Sequence, residues 1–395
     1  MSYTVLARRY RSQRFDAVVG QGGVAQTLIN AIKTGRVAHA YLFTGTRGVG
    51  KTSMARLFAR ALNAPDTVPD APKDEGFEYP AEDVQQRMAD AIMRGDDLNV
   101  IEIDGASNRG VDDARDIIAK AGLSPTSNAR FKVYIIDEVH MLTREAFNAL
   151  LKVMEEPPSH VKFILCTTEP QKVPATIQSR CQRFDFHNIP TAKIAEHLRD
   201  VLKQEDVEAE DEAVWQVARL GNGSMRDALS LMDRLLATGQ SPLTAKTLEE
   251  MLGLPDAALI AGLVDAVAAA DVKASLEATD DLLKRGLGQD QLTDVLIERL
   301  RQLMLIAACG ADSELVELSE DAKAKAAEQA GSFDAPGLVY AIALLENLSR
   351  HAKNSATPRA LLDATVVRLA LAEKMADVSA LLNGGGAPQS AQKKK

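Results

Sequence analysis

The stretch that decides the fold is AYLFTGTRGVGKTSMARLFARAL (residues 40–62). Its first five residues predict a buried strand over Ala40–Thr44, and the residues after the glycines have the spacing of a helix over Thr52–Leu62. Between them, Gly45–Thr52 matches the pattern G-x-x-x-x-G-K-[ST], which forms a phosphate-binding loop where it joins a strand to a helix. The sequence therefore predicts an α/β domain built around this loop.

The loop residues suit the β- and γ-phosphates of a nucleoside triphosphate. Glycines let successive backbone N–H groups curl around the phosphates, and the following helix adds the positive end of its dipole. Lys51 would neutralise phosphate charge and Thr52 would ligate Mg²⁺. The predicted binding residues in this loop are Gly45, Thr46, Arg47, Gly48, Val49, Gly50, Lys51, Thr52 and Ser53.

Two further apolar runs end in residues that suit hydrolysis. Val133–Ile136 is followed by Asp137, expected to hold Mg²⁺ partly through water, and by Glu138, expected to accept the proton of the attacking water. Val161–Thr167 is followed by Thr168, whose hydroxyl either orients that water or caps a turn at the strand end. The predicted site thus extends from nucleotide binding to catalysis.

Two arginines are further candidates. Arg180 lies in the sequence Ser-Arg-Cys (residues 179–181), and Arg226 lies near the start of a helix predicted over Ser224–Thr238. The planar guanidinium donates several hydrogen bonds and suits the charge that develops on a transferred phosphoryl group. Spacing alone leaves open whether either arginine is catalytic or an ordinary surface residue.

Apolar runs alternate with helical patterns in the first half of the chain, which predicts a parallel sheet covered by helices on both faces. The predicted strands are Ala40–Thr44, Leu98–Ile103, Lys132–Asp137, Val161–Thr167 and Arg183–His187. Beyond Pro190 only helical patterns occur, short at first (Ala192–Gln204, Asp211–Leu220 and Ser224–Thr238) and longer from about Pro255. We expect an α/β domain over residues 1–188, a small helical domain over 189–253, an all-α domain over 254–380 and a disordered tail over 381–395.

Composition narrows the function classes. The formal net charge of −9 argues against non-specific coating of nucleic acid, which needs a basic surface. The sequence has no run of about 18 apolar residues and no apolar segment behind its basic N-terminus, so neither a membrane span nor a signal peptide is expected. A cytoplasmic protein is therefore expected. With 3 cysteines and no close pair, reduced thiols are expected as well.

Several stretches resemble the gamma/tau family of bacterial DNA polymerase III, which are AAA+ ATPases of the clamp loader. They are YTVLARRYRSQRFDAVVGQ (3–21), HAYLFTGTRGVGKTS (39–53), IEIDGASNRGVDDARDI (101–117), FKVYIIDEVHMLTREAFNALLKVMEEPP (131–158), ATIQSRCQRFDF (175–186) and GNGSMRDALSLMD (221–233). The Ser-Arg-Cys motif is the most specific, because clamp loaders share it and phosphate-loop proteins at large do not. The resemblance is close over residues 3–253 and looser beyond.

The resemblance implies roles that spacing does not assign. Thr168 would be sensor 1, Arg180 the arginine finger that reaches the ATP of a neighbouring subunit, and Arg226 sensor 2 on a helical lid domain. An N-terminal segment over the adenine and ribose would supply Ala7, Arg11, Val18 and Val19. The all-α domain would be a collar that joins gamma/tau copies with delta and delta-prime subunits in a pentamer.

The function implied by the resemblance is that of an ATP-driven, Mg²⁺-dependent motor that opens a sliding clamp and loads it onto primer–template DNA at the nucleoid. Two alternatives stay open. A non-hydrolysing scaffold subunit would keep the fold without turnover, although the intact Lys51, Asp137 and Glu138 argue against it. A Holliday-junction branch-migration ATPase of the same superfamily would carry a basic winged-helix domain, whereas residues 255–378 are acidic and helical.

One departure from the family concerns zinc. Relatives usually carry a four-cysteine zinc module between the phosphate-loop helix and the second strand, but residues 64–97 contain neither Cys nor His. Because structural zinc needs four such ligands, no zinc site is expected there. An acidic, proline-rich insertion over residues 64–80 stands in its place, and its role is open. Arg109 and Lys152 either contact DNA phosphates or are ordinary surface residues, and His140 is either catalytic or a packed residue.

Overall fold

The structure is a computed structural model, and it describes residues 4–68, 77, 79–108, 110, 122–126, 128–313, 315–353 and 355–372. The chain divides into two compact units, one formed by Met1–Asp206 with Val217–Thr238 and the other by Val207–Gln216 with Gly239–Lys395. The first contains a parallel sheet, and the described part of the second is helical. The expected order of an α/β region followed by helical regions is confirmed, while the exact domain limits remain predictions.

Within the described residues, five parallel strands form one sheet in the order β2-β3-β4-β1-β5. The strands are β1 (Ala40–Thr44), β2 (Val100–Asp104), β3 (Lys132–Asp137), β4 (Val161–Thr167) and β5 (Gln182–Asp185). The three inner strands have the predicted bounds. The two edge strands, β2 and β5, are shifted by one or two residues, because they are less buried and their apolar patterns are shorter.

Helices cover both faces of this sheet, as predicted. The described helices that begin before residue 240 are α1 (Leu6–Arg9), α2 (Gly22–Lys33), α3 (Lys51–Asn63), α4 (Glu82–Arg94), α5 (Arg144–Glu155), α6 (Ala175–Gln178), α7 (Thr191–Gln204), α8 (Asp211–Leu220) and α9 (Met225–Leu236). Along β1, Tyr41 and Phe43 join a core with α2, α3 and α4, whereas Leu42 joins a second core with α5. This alternation is the period of two that a strand buried on both faces requires.

The second unit is held by a leucine-rich helical core. Its described helices from residue 245 onward are α10 (Ala245–Leu252), α11 (Ala257–Ala268), α12 (Val272–Lys284), α13 (Gln289–Cys309), α14 (Glu320–Ala330), α15 (Ala335–Ala352) and α16 (Pro358–Ala370). Side chains of Asp256, Asp271, Ser319 and Asp334 cap four of them by accepting backbone N–H groups, which fixes where each helix begins. The expected tail over 381–395 lies outside the described residues.

Helix α10 was missed by the pattern analysis. It has only 8 residues, of which Thr247 and Leu248 are buried, so its periodic signal is short. Its ends nevertheless carry readable signals, since Thr244 accepts a hydrogen bond from Thr247 N and Gly253 ends it in the left-handed conformation.

The described helices are short or polar relative to a bilayer-spanning segment. No single one is long and apolar enough to cross a bilayer. The pair α10 and α11, bent by 93° at the break between them, meets the length and composition criteria together.

Candidate nucleotide-binding site

The phosphate-binding loop links the end of β1 to the start of α3, as the sequence predicts. Two of its glycines are required by close packing as well as by backbone conformation. Gly45 has φ of 141°, and a Cβ there would lie 2.4 Å from the carbonyl oxygen of Phe186. Gly48 has φ of 77°, and a Cβ there would lie 1.9 Å from Ser224 Oγ. No other residue type fits either position without movement of its neighbours.

Lys51 lies inside this loop. Lys51 is only 5% exposed, and its Nζ donates hydrogen bonds to the carbonyl oxygens of Gly45 and Thr46, each at 2.7 Å. Burial lowers the pKa of Lys51, whereas the nearby Asp137 and Glu138 favour its charged form. The loop therefore holds the buried ammonium group of Lys51. It lies at the place where the glycines of the loop would let backbone N–H groups approach a phosphate.

The predicted magnesium ligands lie side by side. Thr52 Oγ1, in the first turn of α3, donates to Asp137 Oδ2 at the end of β3, with 2.6 Å between the two oxygens. Mg²⁺ commonly takes one or two protein oxygens and completes its octahedron with phosphate oxygens and waters. A hydroxyl and a carboxylate beside a phosphate loop fit that requirement. Among the described residues, no group of three His, Cys, Asp or Glu side chains could hold a metal by itself.

Glu138 is fixed from two sides. Its backbone has φ of 45°, a strained conformation for a residue other than glycine, and a Cβ at Gly105 would lie 2.7 Å from its carbonyl oxygen. Its Oε2 accepts hydrogen bonds from Thr168 Oγ1 at 3.0 Å and from Thr168 N at 3.3 Å. Thr168, directly after the end of β4, thus holds the carboxylate that was predicted to act on water.

His140 also reaches this carboxylate. Its side chain is 6% exposed, so it is packed, which was one of the two interpretations of the sequence. Its Nδ1 lies 3.0 Å from Thr167 Oγ1 and 3.4 Å from Glu138 Oε2, and its Nε2 lies 3.3 Å from Glu169 Oε1. A packed histidine in this position can orient Glu138 without meeting the nucleotide.

Helix α9 begins against the phosphate-binding loop. Met225 N donates to the Gly48 carbonyl at 3.1 Å, and Ser224 caps the helix by accepting from Asp227 N. The Cβ of Arg226 lies 3.1 Å from where a Gly48 Cβ would be, which brings this exposed arginine beside the loop. Sequence reasoning named Arg226 and missed Ser224, although a serine directly before a helix is a readable capping signal.

A second link between the loop and this helical region was not foreseen. Thr46 Oγ1 donates to Asn188 Oδ1 at 2.6 Å, and Asn188 packs against Gly223, two residues before α9 begins. Nothing in the sequence pattern singles out Asn188, because it follows an edge strand as an ordinary polar residue.

The N-terminal segment contacts the loop through part of the predicted set. Val18 is buried, and its Cγ1 lies 3.3 Å from where a Gly50 Cβ would be. Burial lowers the pKa of Arg11, the charge of Arg226 lowers it further and that of Asp137 raises it, so Arg11 lies within electrostatic range of the site. Ala7 and Val19 are half-buried on the same segment. Their assignment to nucleotide contact remains a prediction.

Arg180 is held by its own chain. Its guanidinium donates to Thr176 O and to Glu155 Oε1, each at 2.7 Å, and its side chain is 33% exposed. Arg180 could contact the nucleotide of a neighbouring subunit only in an assembly, and the structure contains a single chain. Its assignment as the arginine finger therefore remains a prediction. Lys152 is exposed on α5, and Arg109 lies outside the described residues.

Three family models match this chain in succession. The model for the delta subunit of DNA polymerase III matches residues 20–190, and the ATPase lid domain of the DNA polymerase III clamp loader subunit matches 193–241. Domain III of DNA polymerase III subunits gamma and tau matches 243–384. The fold is thus that of an AAA+ clamp-loader chain with a lid and a helical third domain, as the sequence predicted.

Solved structures show a more distant likeness. The RuvB Holliday junction branch migration motor of Thermotoga maritima is 18% identical with a TM-score of 0.44, over 65% of this chain and 79% of that one. At that identity and TM-score the likeness says nothing about function.

Curated relatives are closer. The DNA polymerase III subunit tau of Salmonella typhimurium is 40% identical over 80% of this chain and 48% of its own length, so the chain spans about half of that relative. The DNA polymerase III subunit gamma of Buchnera aphidicola is 38% identical over 78% of this chain and 81% of its own length. Because this chain covers most of a gamma subunit at that identity, and because the third model is specific to gamma and tau, it belongs to the gamma/tau family of DNA polymerase III subunits.

Proposed function

We propose that this chain is an ATP-hydrolysing motor subunit of a clamp loader, which opens a sliding clamp and loads it onto primer–template DNA. The observation that carries the proposal is the arrangement of Thr52, Asp137 and Glu138 around one phosphate-binding loop. A scaffold subunit needs neither the hydroxyl–carboxylate pair at 2.6 Å nor a carboxylate held by a threonine beside it. Family membership supports the clamp-loader context.

In this proposal each side chain has one task. Lys51 and the backbone N–H groups of the loop bind the phosphates, and Thr52 and Asp137 would hold Mg²⁺, which screens the negative charge of the triphosphate when bound. Glu138 would accept the proton of the attacking water, with Thr168 and His140 fixing its orientation. Preorganised groups of this kind act without being rearranged at the moment of reaction.

The contact between the phosphate-binding loop and α9 would couple nucleotide binding to the position of that helix. Met225 N donates to the carbonyl of Gly48 in the loop, so a change in loop conformation on nucleotide binding is passed directly to α9. Arg226, beside that contact, would meet the nucleotide from the lid as sensor 2. ATP would thereby shift the populations of two conformations of the chain, which is how nucleotide energy would change affinity for the clamp.

Arg180 would act on the ATP of a neighbouring subunit. Its bond to Glu155 is half exposed to solvent, and an exposed ion pair contributes only about 0–1 kcal/mol, so exchanging it for a phosphate costs little. The proposed assembly contains gamma/tau copies with delta and delta-prime subunits in the cytoplasm, and its partners are the sliding clamp and primer–template DNA.

An experiment on the chain alone separates a motor from a scaffold subunit. ATP binding and single-turnover hydrolysis would be measured for the unmodified chain, for Lys51→Ala and for Glu138→Gln. A motor binds and hydrolyses ATP, loses binding in Lys51→Ala, and keeps binding without hydrolysis in Glu138→Gln. ATP binding without hydrolysis by the unmodified chain, with or without its partner subunits, would favour the scaffold alternative.

A further inference from the structure

A polar pocket lies in the first unit, at the end of the sheet away from the phosphate-binding loop. Its volume is about 370 Å³, and its lining includes Lys162 from the start of β4, Arg130 and Phe131 from the segment before β3, Tyr79 and Ser159. Thr168, at the site described above, follows the other end of β4. At about 3.3 Å per residue the two ends of β4 are roughly 20 Å apart, so this Lys162 pocket is separate from the nucleotide site.

Lys162 is buried, and none of the described residues supplies it with a counter-charge. The residue is 9% exposed, and its Nζ lies 5.1 Å from the centre of the Phe131 ring. Within the described ranges, no hydrogen bond or ion pair satisfies its ammonium group. A cation–π contact offsets only part of the cost of removing an ammonium from water.

A second cation makes this burial less favourable. The guanidinium of Arg130 lies 4.6 Å from the centre of the same ring. Burial lowers the pKa of Lys162, and the charge of Arg130 lowers it further. Nearby His39 has a buried Nε2 that meets no hydrogen-bond partner in the described part of the chain, and burial followed by the charge of Lys162 lowers its pKa. The ammonium of Lys162 is therefore the group here whose charge burial disfavours and no described partner offsets, and a bound anion would stabilise its charged form.

We propose that the Lys162 pocket binds a small oxyanion of the phosphate or polycarboxylate class, with Lys162 and Arg130 as its charged ligands. The pocket has room for such an anion, because its volume of about 370 Å³ is many times the roughly 10–15 Å³ that one water molecule needs. Tyr79 and Ser159 line the same pocket and bring hydroxyl groups of the kind that oxyanions accept hydrogen bonds from. The site does not depend on the ATPase proposal, since none of its residues belongs to the nucleotide loop.

Calorimetric titration of the full chain with inorganic phosphate, and separately with citrate, tests this site. The variants are Lys162→Met, which keeps the length of the side chain without its charge, and Lys193→Met, which removes an exposed lysine on α7 as the matched control. Both are made in the Lys51→Ala background, which removes phosphate binding by the nucleotide loop. We expect saturable binding of at least one of the two anions in Lys51→Ala and Lys193→Met, and affinity about tenfold or more weaker in Lys162→Met.

Thermal unfolding distinguishes an anion-binding lysine from one that only stabilises the fold. Without added anion, Lys162→Met should melt no lower than the unmodified chain, because an uncompensated buried charge has been removed. In the Lys51→Ala background, phosphate or citrate should raise the melting temperature of the chain that keeps Lys162 and leave that of Lys162→Met unchanged. Equal anion affinity in Lys162→Met and Lys193→Met, loss of all binding in Lys51→Ala, or no binding of either anion would each overturn the proposal.

Discussion

Thr52 Oγ1 and Asp137 Oδ2 lie 2.6 Å apart, although 85 residues separate them in the sequence. The pair forms because β3 and β1 both end at the same edge of the parallel sheet, separated by β4, and α3 starts directly after the loop that follows β1. A hydroxyl and a carboxylate brought together in this way suit Mg²⁺ and have no evident structural purpose otherwise.

Replacing Thr52 by Val should therefore remove the magnesium dependence of ATP affinity while leaving the fold intact. Valine keeps the shape of threonine and lacks its oxygen ligand. The measurement is the dissociation constant of ATP with Mg²⁺ and with a chelator, and we expect the ratio of the two to approach one in Thr52→Val. Ser53→Ala, in the same helix turn, is the control and should keep the ratio. A full magnesium effect in Thr52→Val would refute the assignment.

Glu138→Gln should lower the rate of hydrolysis by about 100-fold or more, the usual contribution of a general base, without weakening ATP binding. Glutamine can still accept hydrogen bonds from Thr168, so the local geometry is retained. Single-turnover hydrolysis and equilibrium binding together check this. A parallel loss of affinity would mean that Glu138 binds the nucleotide rather than activating water.

His140→Ala should slow hydrolysis less than Glu138→Gln does, because we propose that His140 orients the carboxylate rather than activating the water itself. The contact of 3.4 Å to Glu138 Oε2 is the basis of this expectation. His140→Asn, which can still bond to Thr167, should restore part of the rate. If His140→Ala matched the loss in Glu138→Gln with unchanged stability, the histidine would be catalytic, the other interpretation of the sequence.

Gly48→Ala should weaken ATP binding far more than Gly35→Ala. Both glycines have positive φ, at 77° and 68°, so both replacements carry similar backbone strain. Only at Gly48 would the added Cβ collide with Ser224 and so displace α9 from the loop, whereas Gly35 has nothing within 4 Å. ATP affinity and melting temperature of the two variants are compared. Equal affinities would show that the contact between loop and α9 has no role in binding.

Acid should destabilise the first unit through the half-buried His197. Burial lowers the pKa of His197, so the unfolded chain binds a proton there more readily than the folded one. The stability contributed by neutral His197 is complete above the ordinary histidine pKa of about 6.5 and is lost as the pH falls below it. His197→Gln should flatten the decline of melting temperature between about pH 7 and 5, and the exposed His187→Gln should not. An unchanged slope in His197→Gln would contradict the assignment.

The sequence predicted the inner strands well and the contacts between elements poorly. β1, β3 and β4 are continuous apolar runs buried on both faces, so their bounds follow directly from the pattern. The bonds from Thr46 to Asn188 and from Met225 to Gly48 join segments far apart in the chain and use ordinary polar groups, which no local pattern distinguishes. Glu138 was predicted from its position after a strand, whereas its contact with His140 depends on a left-handed turn that the sequence does not signal.

The central claim is that ATP turnover by this chain serves clamp loading. The measurement is steady-state ATP hydrolysis by the chain assembled with the delta and delta-prime subunits of the proposed complex, with sliding clamp and primed DNA added singly and together. We predict that the two together raise turnover well above either alone, and that Arg180→Ala abolishes the increase while ATP binding is unchanged. Turnover that responds to neither clamp nor primed DNA in the complete assembly would contradict the account.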